Sequence, residues 1–152
     1  MTTRGGQAPG SAPGTYLLRF DLPEPVTLDV GALGKAVLGP GSHYYAGSAF
    51  GPGGVAARVL RHVNGSERRH WHVDALRATV PVMEVWYGHA QERLEHAWAG
   101  ALLGSPGARL DVAGFGASDC ACQGHLVHFM QPLTQCTMER LLGKNMVFRW
   151  TP

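Results

Sequence analysis

Basic and acidic side chains are concentrated in two successive segments of this 152-residue chain. Residues 54–78 carry five arginines against two acids, and residues 79–119 carry five acids against two arginines. A basic element beside an acidic one could hold a phosphate group and a divalent metal ion in one site, although two solvated helix faces would show the same segregation. The net charge is only +2, so any attraction for nucleic acid must come from this distribution.

Three side chains in these segments have positions that suggest chemistry. Residues 54–63 are predicted to form a helix with one apolar face, and Arg58 and His62 lie four residues apart on the opposite face. Residues 91–103 are predicted to form a second amphipathic helix, and Glu95 lies at the edge of its apolar stripe. A carboxylate at that edge loses hydration unless a cation meets it, so Glu95 is the acid whose position most requires an explanation.

The cysteines and histidines suggest an alternative, a structural zinc site. Cys120, Cys122 and His125 have ligand chemistry suited to zinc, and His70 and His72 could complete the set. The Cys-x-Cys spacing is shorter than in common zinc ribbons, and two helical side chains two positions apart point about 200° apart. An odd count of three cysteines argues against a disulfide framework and predicts reduced thiols.

The same histidines could instead border a catalytic cleft. In that interpretation His70 or His72 lies on one side of the cleft, and Ser118, Asp119 and His125 close it from the other side.

The elements that must position these residues are short and are separated by glycine and proline turns. Strands are predicted over residues 14–21, 26–30, 35–38, 42–48, 80–87 and 125–130, and helices over residues 54–63, 70–78, 91–103 and 134–142. We expect residues 1–13 to form a flexible leader and residues 131–152 a helical, basic extension. The sequence contains no apolar run of the kind that forms a membrane span or a secretion signal. We therefore expect a cytoplasmic protein with no membrane partner.

Four short motifs occur in an order that resembles the GIY-YIG nucleases. They are Gly14-Thr15-Tyr16, Tyr45-Ala46-Gly47, Arg58 with His62, and Glu95. The stretches GTYLL, YYAGSAFGPGG, VAARVLRH, HWHVDAL, RLEHAWAGALL and GFGASDCACQGHL are similar to a small prokaryotic subfamily. Its members, long described as a domain of unknown function, stand alone or are fused to an endonuclease III-type glycosylase. The resemblance covers about residues 14–129, so residues 14–130 are identified as a GIY-YIG-like nuclease domain.

The resemblance implies an α+β fold, a small antiparallel sheet flanked by helices. The gap between the first two motifs is longer than in minimal members of the family, which implies an inserted strand pair. Thr15 and Ala46 stand where most members have aliphatic residues, and we expect these side chains only to pack. Ser48 stands where excision-repair relatives carry a lysine, so that group is either missing or supplied by a histidine.

The activity implied by the resemblance is divalent-metal-dependent hydrolysis of DNA phosphodiester bonds, in repair or processing. Tyr45 would be the general base, with Tyr16 as the second choice, and nearby positive charge would have to lower its pKa. Arg58 would contact the scissile phosphate through its guanidinium fork, and His62 would assist the base or hold a phosphate. Glu95 would be the single protein ligand of Mg²⁺ or Mn²⁺.

DNA binding is expected to be mostly electrostatic, with a preference for strand type or structure, such as single-stranded DNA, and little base reading. Besides Arg58 and Ser48, the expected contacts come from Arg61, Arg68, Arg69, His72, Lys144 and Arg149. A competing hypothesis is a non-catalytic module on the same fold that binds nucleic acid or a DNA-repair protein, which the low net charge and Ser48 favour.

Overall fold

A five-stranded antiparallel sheet is the centre of the computed structural model, which describes residues 6–65, 71–117, 122–143 and 147–152. Within these ranges the strand order in the sheet is β6-β4-β1-β5-β7. The strands are β1 (Gly14–Leu22), β4 (Gly41–Ala49), β5 (Glu84–His89), β6 (Leu126–Phe129) and β7 (Phe148–Trp150). Each neighbouring pair is antiparallel, which confirms the predicted α+β fold with an antiparallel sheet.

Strand β1 is central because its residues are apolar on both faces. In GTYLLRFDL only Arg19 and Asp21 are not fully buried. A half-exposed strand alternates apolar and polar residues, whereas a strand that is covered on both faces does not. The sequence of β1 therefore requires helices on both sides of the sheet.

The two faces of the sheet support two hydrophobic cores. Helices α1 (Gly54–Asn64) and α2 (His72–Thr79) pack on the face that carries Leu18 and Phe20. On the opposite face, Leu17 and Trp86 are buried by helices α3 (Glu95–Leu103) and α4 (Gln135–Leu142). Among the described residues these four helices flank the sheet as predicted.

The inserted strand pair is also confirmed. Strands β2 (Val26–Asp29) and β3 (Lys35–Leu38) pair with each other in a separate two-stranded sheet. Leu28 and Leu38 face the α1 and α2 core, while alternate residues of both strands are exposed. This alternation is typical of a hairpin with one buried face.

Helix α3 begins at Glu95, four residues later than predicted. The N–H of Leu94 donates a hydrogen bond to Oγ1 of Thr15 at 3.0 Å, and this bond ties the start of the helix to β1. The expectation that Thr15 only packs is therefore wrong, because its hydroxyl is a fully buried acceptor for a residue 79 positions away. Tertiary contact decides where this helix starts.

The chain segments at both ends contact the sheet. From residue 6 onward, the predicted leader is hydrogen-bonded to the fold, since Ala12 O accepts from Val55 N at 3.1 Å and Gln7 O accepts from the Tyr87 hydroxyl at 2.9 Å. At the other end, β7 pairs with β5. In the ranges that the structure describes, every helix is too short or too polar to cross a membrane.

Candidate active site

A cleft of about 410 Å³ opens where β1 begins and β4 ends. It brings together Tyr16, Tyr45, Ser48, Arg58 and Glu95, which the sequence analysis selected from four separate elements. The other residues of its wall are Gly47, Phe50, Gly51, Trp71, Arg93 and Gly116. Two phenols, two guanidinium groups and a carboxylate therefore share one space.

The strand register places the two tyrosines on the same face of the sheet. Tyr16 of β1 pairs with Gly47 of β4, and Tyr45 pairs with Leu18, two positions further along. Side chains two positions apart in a strand lie on one face, so both phenols point toward α1. A Cβ atom at Gly47 would lie 2.6 Å from Cζ and Oη of Tyr16, so glycine is required there for the Tyr16 ring to cross the strand.

A buried polar chain runs from Tyr16 into the interface between α1 and α2. The Tyr16 hydroxyl is 3.1 Å from Nε2 of His62, and Nδ1 of His62 is 3.8 Å from Oδ1 of Asp74. Asp74 in turn accepts two hydrogen bonds from Arg61, at 2.9 and 3.2 Å. An Nδ1–H toward Asp74 leaves the Nε2 lone pair facing Tyr16, so the phenol is the donor in this pair.

The pKa values of these groups are set mainly by burial. Burial lowers the pKa of His62 to about 4; Asp74 opposes this, and three arginines add to it. His62 is therefore neutral at pH 7. Burial also raises the pKa of Tyr16 and Tyr45 well above 10, while the charge of Arg58 lowers both to a smaller extent. With the protein groups alone, neither phenol is ionised at neutral pH.

Glu95 is held at the opposite wall by Ser48. The Ser48 hydroxyl donates a hydrogen bond to Oε1 of Glu95 at 2.5 Å, and Nη1 of Arg93 donates to the Ser48 hydroxyl at 3.3 Å. Oε2 of Glu95 lies 3.7 Å from Nδ1 of His125. The Glu95 side chain is 17% exposed, so a carboxylate oxygen in the cleft fits a hard divalent cation such as Mg²⁺ or Mn²⁺.

Ser48 also connects Arg58 to the site. The main-chain oxygen of Ser48 accepts a hydrogen bond from Nη1 of Arg58 at 3.1 Å. The guanidinium carbons of Arg58 and Arg61 each lie 4.5 Å from the centroid of the Trp71 ring, a distance typical of cation–π contacts. Arg58 and Arg61 also line an adjoining depression of about 190 Å³, which continues the cleft along α1.

The remaining predicted contacts have different positions. Nδ1 of His72 accepts the N–H of Gly116 at 2.7 Å, so His72 supports the cleft wall from behind. Arg149 is bound to Glu84 at 2.7 Å, on the far side of the sheet, and does not line the cleft. Arg68, Arg69, His70, Ser118, Asp119, Cys120 and Lys144 lie outside the described residues.

Arg93 and Asp74 are site residues that sequence reasoning missed. Arg93 is exposed and precedes α3, although the helix predicted over residues 91–103 includes it; its guanidinium carbon lies 4.6 Å from the centroid of the Phe50 ring, in the cleft wall. For Asp74 the sequence offered one usable signal, an acidic residue three positions after Trp71. Its carboxylate accepts a hydrogen bond from the Trp71 N–H at 3.0 Å, which caps the start of α2. Its proximity to His62 depends on how α1 packs against α2.

Two of the predicted zinc ligands lie together near the cleft. Three residues, His96, Cys122 and His125, each offer one possible ligand atom, and these three atoms lie within 4.8 Å of one another. His96 was not predicted, although it directly follows Glu95 in the sequence. His72 is not part of this group, since its Nδ1 is bound to Gly116. The structure therefore supports a candidate metal group that differs from the predicted one.

A second group of possible metal ligands consists of His43, Asp111 and His128. The rings of His43 and His128 are stacked with centroids 4.2 Å apart. Nε2 of His128 faces the carbonyl oxygen of Pro40 at 2.8 Å, and Nδ1 faces Asp111 at 3.1 Å. Both ring nitrogens of His128 therefore face oxygen atoms of the protein, so a metal ion would have to displace one of these contacts.

Comparison with known proteins identifies the family of this chain. No curated protein and no solved structure matches it. Residues 15–146 match the family described as domain of unknown function DUF123, and the match includes every described residue that lines the cleft. The chain therefore belongs to the DUF123 family.

Proposed function

We propose that this protein is a divalent-metal-dependent DNA endonuclease of the GIY-YIG type. The observation that carries the proposal is that Tyr16, Tyr45, Arg58 and Glu95 line one cleft. Phosphodiester hydrolysis needs a proton acceptor for the attacking water, positive charge beside the phosphate, and help for the leaving oxygen. The cleft offers a residue type suited to each requirement, in the order along the chain that the GIY-YIG resemblance implies.

Arg58 binds the scissile phosphate in this proposal. Its position is fixed by the main-chain oxygen of Ser48 and by the Trp71 ring, and it still lines the cleft. Arg93 lines the same cleft and supplies the positive charge that the lysine of excision-repair relatives would provide at the position of Ser48. Two guanidinium groups can then neutralise the charge that develops on the phosphate oxygens.

Tyr16 and His62 together accept the proton of the attacking water. A neutral His62 can take the proton of the Tyr16 hydroxyl as the phenol oxygen removes one from water, and Asp74 stabilises the imidazolium that forms. Tyr45, the first choice from the sequence, has no comparable partner among the described residues, so we assign it to orienting the water or phosphate. This exchanges the roles predicted for the two tyrosines.

Glu95 holds the divalent cation, with Ser48 orienting its carboxylate. When bound, Mg²⁺ or Mn²⁺ supplies positive charge that polarises the phosphate and lowers the pKa of nearby water and phenol groups. Among the described residues that line the cleft, Glu95 is the only carboxylate, so waters and phosphate oxygens would complete the coordination.

The substrate proposed is DNA that is single-stranded or distorted at the cut. The cleft and its continuation past Arg61 form a path lined by Arg58, Arg61, Arg93 and Trp71. Arginines suit contacts with phosphate oxygens, so contacts with the DNA backbone would dominate along this path. From the family resemblance we propose a role in DNA repair or processing, in the cytoplasm and alongside a DNA-repair protein.

A second function, binding of nucleic acid without cleavage, is favoured by one observation. Burial raises the pKa of both tyrosines, so each is a poor proton acceptor in the absence of bound metal. A binding module would use the arginines of the same cleft. It would not depend on the carboxylate of Glu95 or on the phenol of Tyr16.

Cleavage of single- and double-stranded DNA with Mn²⁺ tests the proposal. We expect Glu95→Gln and Tyr16→Phe each to reduce the cleavage rate at least about 100-fold, because the first removes the charge that holds the cation and the second removes the hydroxyl that passes the proton to His62. Glu92→Gln is the matched control, since Glu92 is exposed and precedes the same helix. Equal rates for Glu95→Gln and Glu92→Gln would contradict the proposal. DNA binding in EDTA without any cleavage by the wild type would favour the second function.

A further inference from the structure

We propose that His96, Cys122 and His125 bind a transition-metal ion of the Zn²⁺ class, at a site separate from the cation proposed at Glu95. Nδ1 of His96 is 3.0 Å from Sγ of Cys122, and the rings of His96 and His125 have centroids 5.2 Å apart. The proposal does not depend on nuclease activity.

The donor set selects the class of metal. A thiolate and two imidazoles are soft or intermediate ligands, which favour Zn²⁺ over Mg²⁺ and Mn²⁺. In a tetrahedral zinc site the nitrogen and sulfur ligands are about 3.5 Å apart, which follows from bond lengths of about 2.0 and 2.3 Å. The three ligand atoms already lie within 4.8 Å of one another, so side-chain rotations that move these atoms by about 1 Å complete the geometry.

The main chain of His125 is already fixed for this role. Its N–H donates to the carbonyl oxygen of Phe115 at 2.7 Å, and its carbonyl oxygen accepts from Ala46 N at 2.9 Å. His125 is 2% exposed. A ligand with a fixed backbone and a buried ring loses little freedom when it binds a metal, and this increases affinity.

The other two ligands lie on elements that the metal would join. His96 is the second residue of α3 and is exposed, and Cys122 lies in the segment that leads into β6. Both line a pocket of about 390 Å³ between α3 and this segment. A bound ion would therefore tie the segment before β6 to the start of α3, directly beside Glu95.

Glu95 lies on the boundary of the two sites. Oε2 of Glu95 is 3.7 Å from Nδ1 of His125, while Oε1 is bound to Ser48. The carboxylate is close enough to interact with an imidazole that binds metal, and partners of this kind orient histidine ligands. Occupancy of the proposed site would then affect the position of the Glu95 carboxylate.

Metal titration of the purified chain tests the proposal without DNA. The protein is reduced, dialysed against a chelator and titrated with Zn²⁺ or Co²⁺. Bound zinc is measured by mass spectrometry after gel filtration, and bound cobalt by its absorption spectrum. We expect about one tightly bound ion per chain and a thiolate-to-cobalt charge-transfer band. We expect Cys122→Ser to lose the band and to weaken zinc binding at least about 100-fold.

Two further variants keep the test decisive. Cys136→Ser is the matched control, because Cys136 is an exposed thiol on α4, and it should retain the band and the affinity. His96→Ala changes an exposed side chain, so it should fold normally and still weaken zinc binding at least about tenfold. Wild-type protein that binds no zinc, or equal affinity in Cys122→Ser and Cys136→Ser, would overturn the proposal. Either result is independent of whether the protein cuts DNA.

Discussion

At the scale of single residues, His62 connects the chemistry of the site with the stability of the fold. It is 1% exposed, with Tyr16 on one side and Asp74 on the other. An exposed histidine has a pKa near 6.5, but burial lowers the pKa of His62 to about 4. The ring therefore stays neutral until the pH falls to about 4. The neutral ring is the form that can accept the Tyr16 proton, so the same burial serves the proposed reaction.

This shift predicts a specific dependence of stability on pH. Between pH 6.5 and 4 the unfolded chain binds a proton at His62 and the folded chain does not, so the free energy of unfolding falls as the pH falls. The contribution of His62 over this interval is about 3 kcal/mol. We expect His62→Gln to show a shallower decline, measured by urea unfolding at several pH values.

The control for this prediction is His89→Gln, which replaces an exposed histidine. It removes an exposed ring and its hydrogen bonds to Gly10 and Ala12, and it leaves the buried contacts of His62 intact. Burial also lowers the pKa of His43 and His125, so some slope will persist in His62→Gln. An unchanged slope in His62→Gln would contradict the assignment.

At the scale of elements, the pairing of β1 with β4 builds the tyrosine side of the cleft. Tyr16 crosses the strand at Gly47, and its hydroxyl continues into α1 through His62. The other side depends on α3, whose first residue is Glu95 because Leu94 is bound to Thr15. Both sides are therefore attached to the first three residues of β1.

A methyl group at position 47 should damage this arrangement. The Cβ of Gly47→Ala would lie 2.6 Å from the Tyr16 ring, which is buried and bound to His62, so the ring must move away from its partner. We expect a loss of about 1–3 kcal/mol in the free energy of unfolding, the usual cost of overpacking. If the nuclease proposal is correct, cleavage should fall as well.

Gly100→Ala is the matched glycine variant. Gly100 lies in α3, and an added Cβ would meet nothing within 4 Å. Alanine in a helix is more favourable than glycine, so this variant should be stabilised by up to about 1 kcal/mol. Chemical denaturation of both variants measures the difference, and a Gly47→Ala protein as stable as the wild type would show that the ring adapts without cost.

At the scale of the whole molecule, the C-terminal strand completes the sheet on the side away from the cleft. Glu84 of β5 is buried, and its carboxylate accepts from Trp86 Nε1 at 2.6 Å and Arg149 Nε at 2.7 Å, with Arg19 at 3.3 Å. Arg149 thus joins β7 to the centre of the sheet. Its role is to compensate a buried carboxylate, which differs from the DNA contact expected from the sequence.

Arg149→Ala is therefore expected to act on stability. Loss of one charged partner of Glu84 should cost about 1–3 kcal/mol, because the carboxylate is 3% exposed. Arg140→Ala, which removes an exposed arginine from α4, should change stability by less than about 0.5 kcal/mol. Thermal unfolding compares the two, and a DNA affinity that falls only in Arg149→Ala at unchanged stability would contradict this role.

The sequence by itself determined the local structure of the main elements. It also determined which side chains could supply most of the chemistry proposed for the site. The apolar run of β1 and the glycine-bounded helix α1 predict their own conformations, since strand and helix periodicity are local properties. The edge position of Glu95 and the shared face of Arg58 and His62 followed from the same periodicity. The α+β fold and the inserted strand pair followed from the family resemblance.

Only the tertiary structure decided which of these residues meet. The start of α3, the contact between His62 and Asp74, and the inclusion of Arg93 and His96 depend on segments that are distant in sequence. Periodicity indicates which face of an element is apolar, but it carries no information about which element covers that face. The proposed choice of Tyr16 over Tyr45 as proton acceptor rests on the hydrogen bond between Tyr16 and His62, which is a consequence of packing.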